Sequence, residues 1–429
     1  MKNIIRSFLL VLISSAASAQ SPWTPCNAPS FGTRVDDIYM VDTQVGYAVC
    51  GDGKIVKTVD GGNNWFQLLE NSSVYCRSVE FINRDTGFVG GFPINGNVQT
   101  NIFRRTTDGG ATWVDLTSQL HPRARRGVCG LAVADANTIY GGGNWYDDSA
   151  YIIKSVDGGK TWSFIDMSQY ASSIIDLFFL NKDVGFATGK GKLPLESGVI
   201  LYTTDGGATW SFKFQNNLPN EYCWKIQRIN NYEWAASLED FANVHPEVLR
   251  SSDGGMTWSV KLVSAERNYD IEGIGFIDPL RGWTGGGIDY SFKTVDGGNT
   301  WDTVHIIPYM NRLFKVNDTM MFASGDRIYR LKNGGFIPPI PATHHAWMTC
   351  SPNPAKNNLE IKVSVDAPTH IMLILFDNNG NRINVVENAD KPTGSYQYHV
   401  NTSGLSMGIY HVVLKTHDDK RAVKVIVSH

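Results

Sequence analysis

Six aspartates in this 429-residue chain share one setting. Asp60, Asp108, Asp157, Asp205, Asp253 and Asp296 each follow a Ser or Thr by two positions, precede two glycines, and stand five residues ahead of a tryptophan. Carboxylates in such number invite acid–base chemistry. Glycoside hydrolysis needs two of them, about 5–5.5 Å apart for retention or about 6.5–9.5 Å for inversion. Six copies at equivalent positions cannot converge on one substrate, so we read these as structural. The carboxylates left for chemistry lie between the repeats. Asp36 and Asp37 are among them, and Asp176, Asp270 and Glu272 are the catalytic alternative. The same intervening segments carry Arg77, Arg126, Trp224, Lys225 and Arg312. Arginine forks beside aromatics suit a carboxylate, a sugar or a protein loop. Arg77, Arg126, Trp224, Lys225, Glu272 and Arg312 therefore form the expected binding set.

The aspartate boxes also dictate the elements that hold these residues. Each reads like TVDGGNNW at 58–65, and successive aspartates are 48, 49, 48, 48 and 43 residues apart. A fixed period of this size marks a repeat architecture. Asp before two glycines is a tight turn, because the carboxylate accepts nearby backbone N–H groups and the glycines reach φ > 0 without steric cost. Short alternating runs such as KIVKTV and IFRRTT precede the boxes, and each tryptophan opens another run. Each box is thus a hairpin turn. FINRDTGFV from Phe81, FLNKDVGFA from Phe179 and FIDPLRGWT from Phe276 add two more strands per unit. Four short strands in about 40–50 residues make one propeller blade.

RIYRLKNGGF at 327–336 reads as a decayed seventh copy without an outer strand, which SPWTPC around Trp23 can supply. The expectation is an all-β fold: a seven-bladed propeller over residues 20–336, closed by its own N-terminus so that no sheet edge stays open. The boxes join third to fourth strands on one face. The second-to-third loops and the inter-blade segments then share the opposite face, around the channel mouth. That face holds the candidate residues, on loops of the kind where binding concentrates.

Residues 1–19 read as a signal peptide, with Lys2 and Arg6, an apolar core at 8–13, and Ala17-Ser18-Ala19 before Gln20. No other run approaches the length of a membrane span, so no transmembrane segment is expected in the mature chain. Removing Lys2 and Arg6 takes the formal charge from −3 to −5, which argues against nucleic acid as a partner. Six cysteines in an exported chain permit disulfides. Cys26 and Cys350 flank the ring closure and are a candidate staple; six unbridged thiols are the alternative. Residues 337–349 form a proline-rich linker. His344 and His345 there lack Cys or carboxylate neighbours, so neither metal nor cofactor is expected. From 350 to 429 the pattern changes to alternating strands around Asn/Gly turns, a small β-sandwich.

That last segment resembles the C-terminal sorting domain of the type IX secretion system. The likeness rests on SPNP at 351–354, FDNNG at 376–380, LSMGIYHVVL at 405–414 and the closing KVIV from Lys424. It implies export by the signal peptide, recognition by the type IX machinery, passage across the outer membrane, and release or attachment at the cell surface. The ring resembles the Asp-box (BNR-type) propellers, most closely the photosystem II stability/assembly factor family. The carriers are the boxes and the residues ahead of them: Phe81, Gly87 and Gly90, then Phe276, Gly282, Trp283 and Gly285. This implies a binding propeller; photosystem assembly is not carried over to a secreted chain. Sialidases and xyloglucan-active endoglucanases share the boxes. A sialidase-like site would draw on Arg77, Arg126 and Arg312 with Tyr222 beside Glu221. No Ser or Cys triad, phosphate loop or zinc motif is legible. The expected function is a secreted or surface-attached, non-enzymatic propeller that binds a protein or glycan at its loop-rich face. The alternative is an extracellular glycoside hydrolase, sialidase-like or xyloglucanase-like.

Overall fold

The structure is a computed structural model that describes residues 22–94, 101–143, 149–216, 218–240, 245–266, 270–331, 346–365, 368–378, 380–416 and 420–428. The expected signal peptide, Asn333, Phe336, His344, His345 and parts of the loops following Phe92, Gly143 and Leu238 lie outside the described residues. The chain divides into two compact units, Met1–Gly335 and Phe336–His429.

The first unit is a seven-bladed propeller, each blade a four-stranded antiparallel sheet. Blades 1 to 6 span 35–70, 74–115, 130–166, 173–215, 221–262 and 273–304. Blade 7 takes three strands from 313–331 and its outermost from Trp23–Pro25, with Trp23 opposite Leu331 and Pro25 opposite Tyr329. Trp23 also meets Trp283 of blade 6 edge to face at 5.3 Å. Each blade runs outward from its first strand, and the first strands neighbour one another around the axis. Burial follows that order: Gly46–Cys50 is wholly buried, whereas the outermost Phe66–Glu70 is mostly exposed. Apolar side chains fill the gaps between blades. Tyr47 stacks on Phe81 at 3.6 Å between blades 1 and 2, and Phe186, Ile200, Cys223 and Trp234 pack between blades 4 and 5.

Each box is a closed hydrogen-bonded unit. In the first, the Thr58 hydroxyl donates to Asp60 Oδ1 at 2.9 Å and accepts the Gly62 N–H at 2.9 Å. Asp60 Oδ1 also accepts the Asn64 N–H at 2.9 Å. The other five repeat the hydroxyl–carboxylate pair, as in Thr106–Asp108 and Ser155–Asp157 at 2.8 Å. Gly61 and Gly62 have φ of 70° and 83°, as the turn requires. The second glycine answers a further demand. A Cβ at Gly62 would sit 2.3 Å from the Phe322 ring of blade 7, and one at Gly159 2.3 Å from Phe88 of blade 2. Box carbonyls reach the preceding blade too: Gly109 O accepts Tyr47 Oη at 3.0 Å and Lys57 Nζ at 2.8 Å. The boxes therefore fasten each blade to its predecessor.

The second unit packs a three-stranded sheet (Ala346–Ser351, Asn358–Val365, Gly394–Asn401) against a four-stranded one (Arg382–Lys391, Thr369–Asp377, Gly408–Lys415, Lys420–Val427). Leu359, Ile361 and Val363 face Leu373, Val412 and Leu414 across the core. Its first strand begins inside the stretch read as linker, because Ala346 and Met348 alternate inward at the period-two spacing of a strand. The Cys26–Cys350 staple is not formed: all six cysteines are free. Each packs locally instead, Cys26 beside the blade 7/1 cluster and Cys350 against the core of its own unit. No helix among the described residues is long and apolar enough to cross a membrane.

Candidate functional site

Several of the first strands break register once. The leftover residues include Asp36 in blade 1, Arg77 in blade 2 and Trp224 with Lys225 in blade 5. A bulge turns an extra residue out of the ladder and re-aims its side chain. Here the re-aimed side chains meet partners from distant blades, which they can do only across the central channel.

Arg77 of blade 2 donates to Asp36 of blade 1, lies 3.8 Å from Glu272 of blade 6, and stands over the Trp224 ring of blade 5 at 5.0 Å. Arg34 donates to Asp36 at 3.0 Å and to Glu272 at 2.5 Å. Glu272 also accepts Asn311 Nδ2 at 2.6 Å. Arg312, leading into blade 7, holds Asp176 of blade 4 with both terminal nitrogens, at 2.9 and 2.8 Å, and gives its Nε to Asp37 at 2.7 Å. Backbone N–H groups of Val79 and Ile226 complete Asp37 and Asp176. Cys129 of blade 3 and Ile175 of blade 4 pack on Trp224. All seven blades contribute to a single plug.

The plug is nearly dry. Asp36, Asp37, Arg77, Asp176, Lys225, Glu239 and Glu272 are all buried. Four acids (Asp36, Asp37, Asp176, Glu272) face four bases (Arg34, Arg77, Lys225, Arg312), so the charges can cancel without solvent. Burial pushes Asp176 and Glu272 up, but Arg312 and Lys225 for the one, and Arg34 and Arg77 for the other, outweigh it and hold both carboxyls below their usual range. Two groups go the other way. Burial and then the Glu272 charge push Glu239 up to about 8, against a hydrogen bond from Trp224 Nε1. Burial and then Arg312 pull Lys225 down to about 8. Glu80, beside Asp37, is raised well above its ordinary value, mainly by burial.

The expected residues are thus partly brought together and differently used. Arg77, Trp224, Lys225, Glu272 and Arg312 converge, as does Asp176. The expectation of an open binding set is corrected for Arg77, Trp224, Lys225 and Glu272, which are buried, the first, second and last of them also paired within the plug. Arg126 stands apart, exposed at the end of the short helix Pro122–Arg126. Asp270 is exposed, and burial followed by the Glu272 charge raises its pKa. Tyr222 and Glu221 occupy consecutive strand positions and so face opposite ways. Tyr222 stacks on Trp224 at 5.5 Å, while Glu221 is buried and pushed up to about 7 by that burial. The reading missed Arg34, Glu239 and Asn311. Arg34 had a signal: RVDD at 34–37 is the blade 1 counterpart of the inter-blade segments.

Above the plug lies a fringe of accessible side chains. Tyr75 and Tyr222 are half-buried. Lys190 stands over Tyr222 at 4.8 Å and pairs with Glu196 at 2.8 Å. Arg34 and Arg312 keep their outer portions in solvent. No group of three or more metal-ligating side chains occurs among the described residues.

Residues 350–428 match the family described as the secretion system C-terminal sorting domain. The second unit is a sorting domain. It marks the chain for export by type IX secretion to the cell surface or extracellular space. No curated protein shows significant sequence similarity to the chain. Solved structures do resemble it. YCF48 bound to D1 peptide is 19% identical with a TM-score of 0.54, over 72% of this chain and 97% of that one. YCF48 from Cyanidioschyzon merolae is 17% identical with a TM-score of 0.54, over 73% and 99%. The Niastella koreensis GH74 enzyme is 14% identical with a TM-score of 0.56, over 93% of this chain and 67% of that one. At these identities the likeness shows the fold alone, one shared by a peptide-bound protein and an enzyme.

Proposed function

We propose that the exported propeller is a non-enzymatic binding module that takes a protein or glycan partner at its loop-rich face. One observation carries the reading: Asp176 and Glu272, which a hydrolase would need free, are locked as ion-paired anions inside the plug. A general acid needs a carboxyl held protonated near working pH within reach of substrate. These two are held ionised and buried. What remains for contact is the fringe of Tyr75, Tyr222, Lys190, Arg34, Arg312 and Asp270. Aromatic plates with both charge signs suit recognition of an extended peptide or a sugar chain.

The binding face therefore shifts outward from Arg77, Trp224 and Glu272 to the residues resting on them. The test uses the purified full chain on arrays of extracellular peptides and glycans, because YCF48 is described with a bound peptide. Retention should fall at least tenfold in a Tyr75→Ala/Tyr222→Ala double variant whose melting temperature is unchanged. Retention unaltered by that pair would sink the proposed face. The same samples go onto fluorogenic sialosides and β-glucans. Turnover abolished by Asp270→Asn would favour the hydrolase instead.

A further inference from the structure

The sorting domain carries an exposed aromatic side chain on the outer face of one sheet. Among the described residues, Trp347 is the one tryptophan left exposed, at 61%. Such a side chain normally buries its large apolar area, so its exposure at a concave surface marks a contact site. Trp347 walls a groove of about 290 Å³ on the outer face of the three-stranded sheet. The sheet register supplies the rest of the wall in two rows: Trp347 opposite Ser364 opposite Ser395, and Thr349 opposite Lys362 opposite Gln397.

The chemistry of those rows is specific. An indole plate offers an apolar face. Hydroxyls and an amide offer hydrogen bonds in both directions. The cation in those rows, Lys362, pairs with Glu360 at 2.9 Å. The wall therefore suits a ligand with an apolar face and a hydroxyl rim. Arg421 lies over the Trp347 ring at 4.4 Å and fixes its orientation, so little rotamer freedom is lost on binding. The groove is the size of one or two pyranose rings.

We infer that this groove is a saccharide site, in which a hexopyranose unit of a cell-surface polysaccharide stacks on Trp347 and hydrogen-bonds the Ser364–Ser395 and Thr349–Gln397 rows. The destination of the chain puts such ligands within reach. The inference is independent of the propeller reading, since it concerns the other unit.

The test is affinity electrophoresis of the full chain through gels containing laminarin, xyloglucan, mannan or purified lipopolysaccharide. Wild type should be retarded in at least one gel. Trp347→Ala should lose at least tenfold in apparent affinity, Trp347→Phe should retain a measurable part, and Ser395→Ala/Gln397→Ala should fall between. Met407→Ala, exposed elsewhere in the same unit, serves as a control that keeps full retardation. The lipopolysaccharide gel against the glucan gels tells the cell's own surface from an external polymer. Retardation unchanged in Trp347→Ala would assign glycan binding to the propeller and overturn the site. Free migration of wild type in every gel would overturn it as well.

Discussion

Arg312 gives all three side-chain nitrogens to carboxylates from two other blades. A buried pair broken on one side leaves an uncompensated charge, at a cost of about 3–5 kcal/mol. Arg312→Ala and Asp176→Ala should each lower unfolding stability by about that much in urea titrations. The double variant should cost less than the sum. The titration of Glu239 has a definite sign. Its folded pKa of about 8 lies above its ordinary 4.5. The folded state therefore keeps a proton that the unfolded chain releases, and stability drains away as pH rises from about 4.5 to about 8. Lys225 runs opposite: with a folded value of about 8 below its ordinary 10.5, its penalty is full below pH 8 and is relieved between about 8 and 10.5. Glu239→Gln should thus gain on wild type between pH 5 and pH 8.5, by more than about 1 kcal/mol. Equal stability of the two at both pH values would refute the buried proton.

Most of this was legible as residue types and not as placement. Arg77 and Trp224 occupy matching points in Tyr75-Cys76-Arg77 and Tyr222-Cys223-Trp224, and that echo marks them as equivalent. Which way they point depends on bulges, which leave no composition signature, and on partners more than a hundred residues away. Charge read along a chain gives no sign of whether it will meet solvent or a counter-ion.

At the scale of the element, the box was the clearest signal, and its hydroxyl proves as important as its carboxylate. Thr106 accepts the buried Gly110 N–H at 2.8 Å while donating to Asp108. Thr106→Val keeps the shape and strands that N–H, a loss of about 1–3 kcal/mol. Gly62→Ala meets both a φ of 83° and the Phe322 ring, so it should cost at least as much. Both are read from thermal melts with circular dichroism. The likeness among the boxes was open to inspection because turn chemistry is local. The contact of second glycines such as Gly62 and Gly159 with the preceding blade was not, because it belongs to the packing of two repeats.

At the scale of the molecule, two ends of the first unit meet in blade 7. Deleting residues 22–25 should open the outer edge of Ile328–Leu331 and expose Trp283, giving a lower melting temperature and aggregation visible by light scattering. The sorting domain acts at the same scale by a different route. Truncation after residue 349 should leave the propeller folded and stop its appearance at the cell surface, assayed by fractionation and blotting. Surface delivery of the truncated chain would contradict the role given to residues 350–428.

The plug bears on a difficulty that near-identical repeats create during folding. Six boxes of almost the same sequence give a collapsing chain many neighbour choices of similar energy, including rings closed one unit early. Apolar packing between blades distinguishes these poorly. The cross-channel pairs differ from one another: Arg77 with Asp36 and Trp224, Arg312 with Asp37 and Asp176, Arg34 with Glu272. An order that separates these partners buries an unmatched charge. The hub thus gives the blades it joins partner-specific contacts that the boxes, being nearly alike, do not.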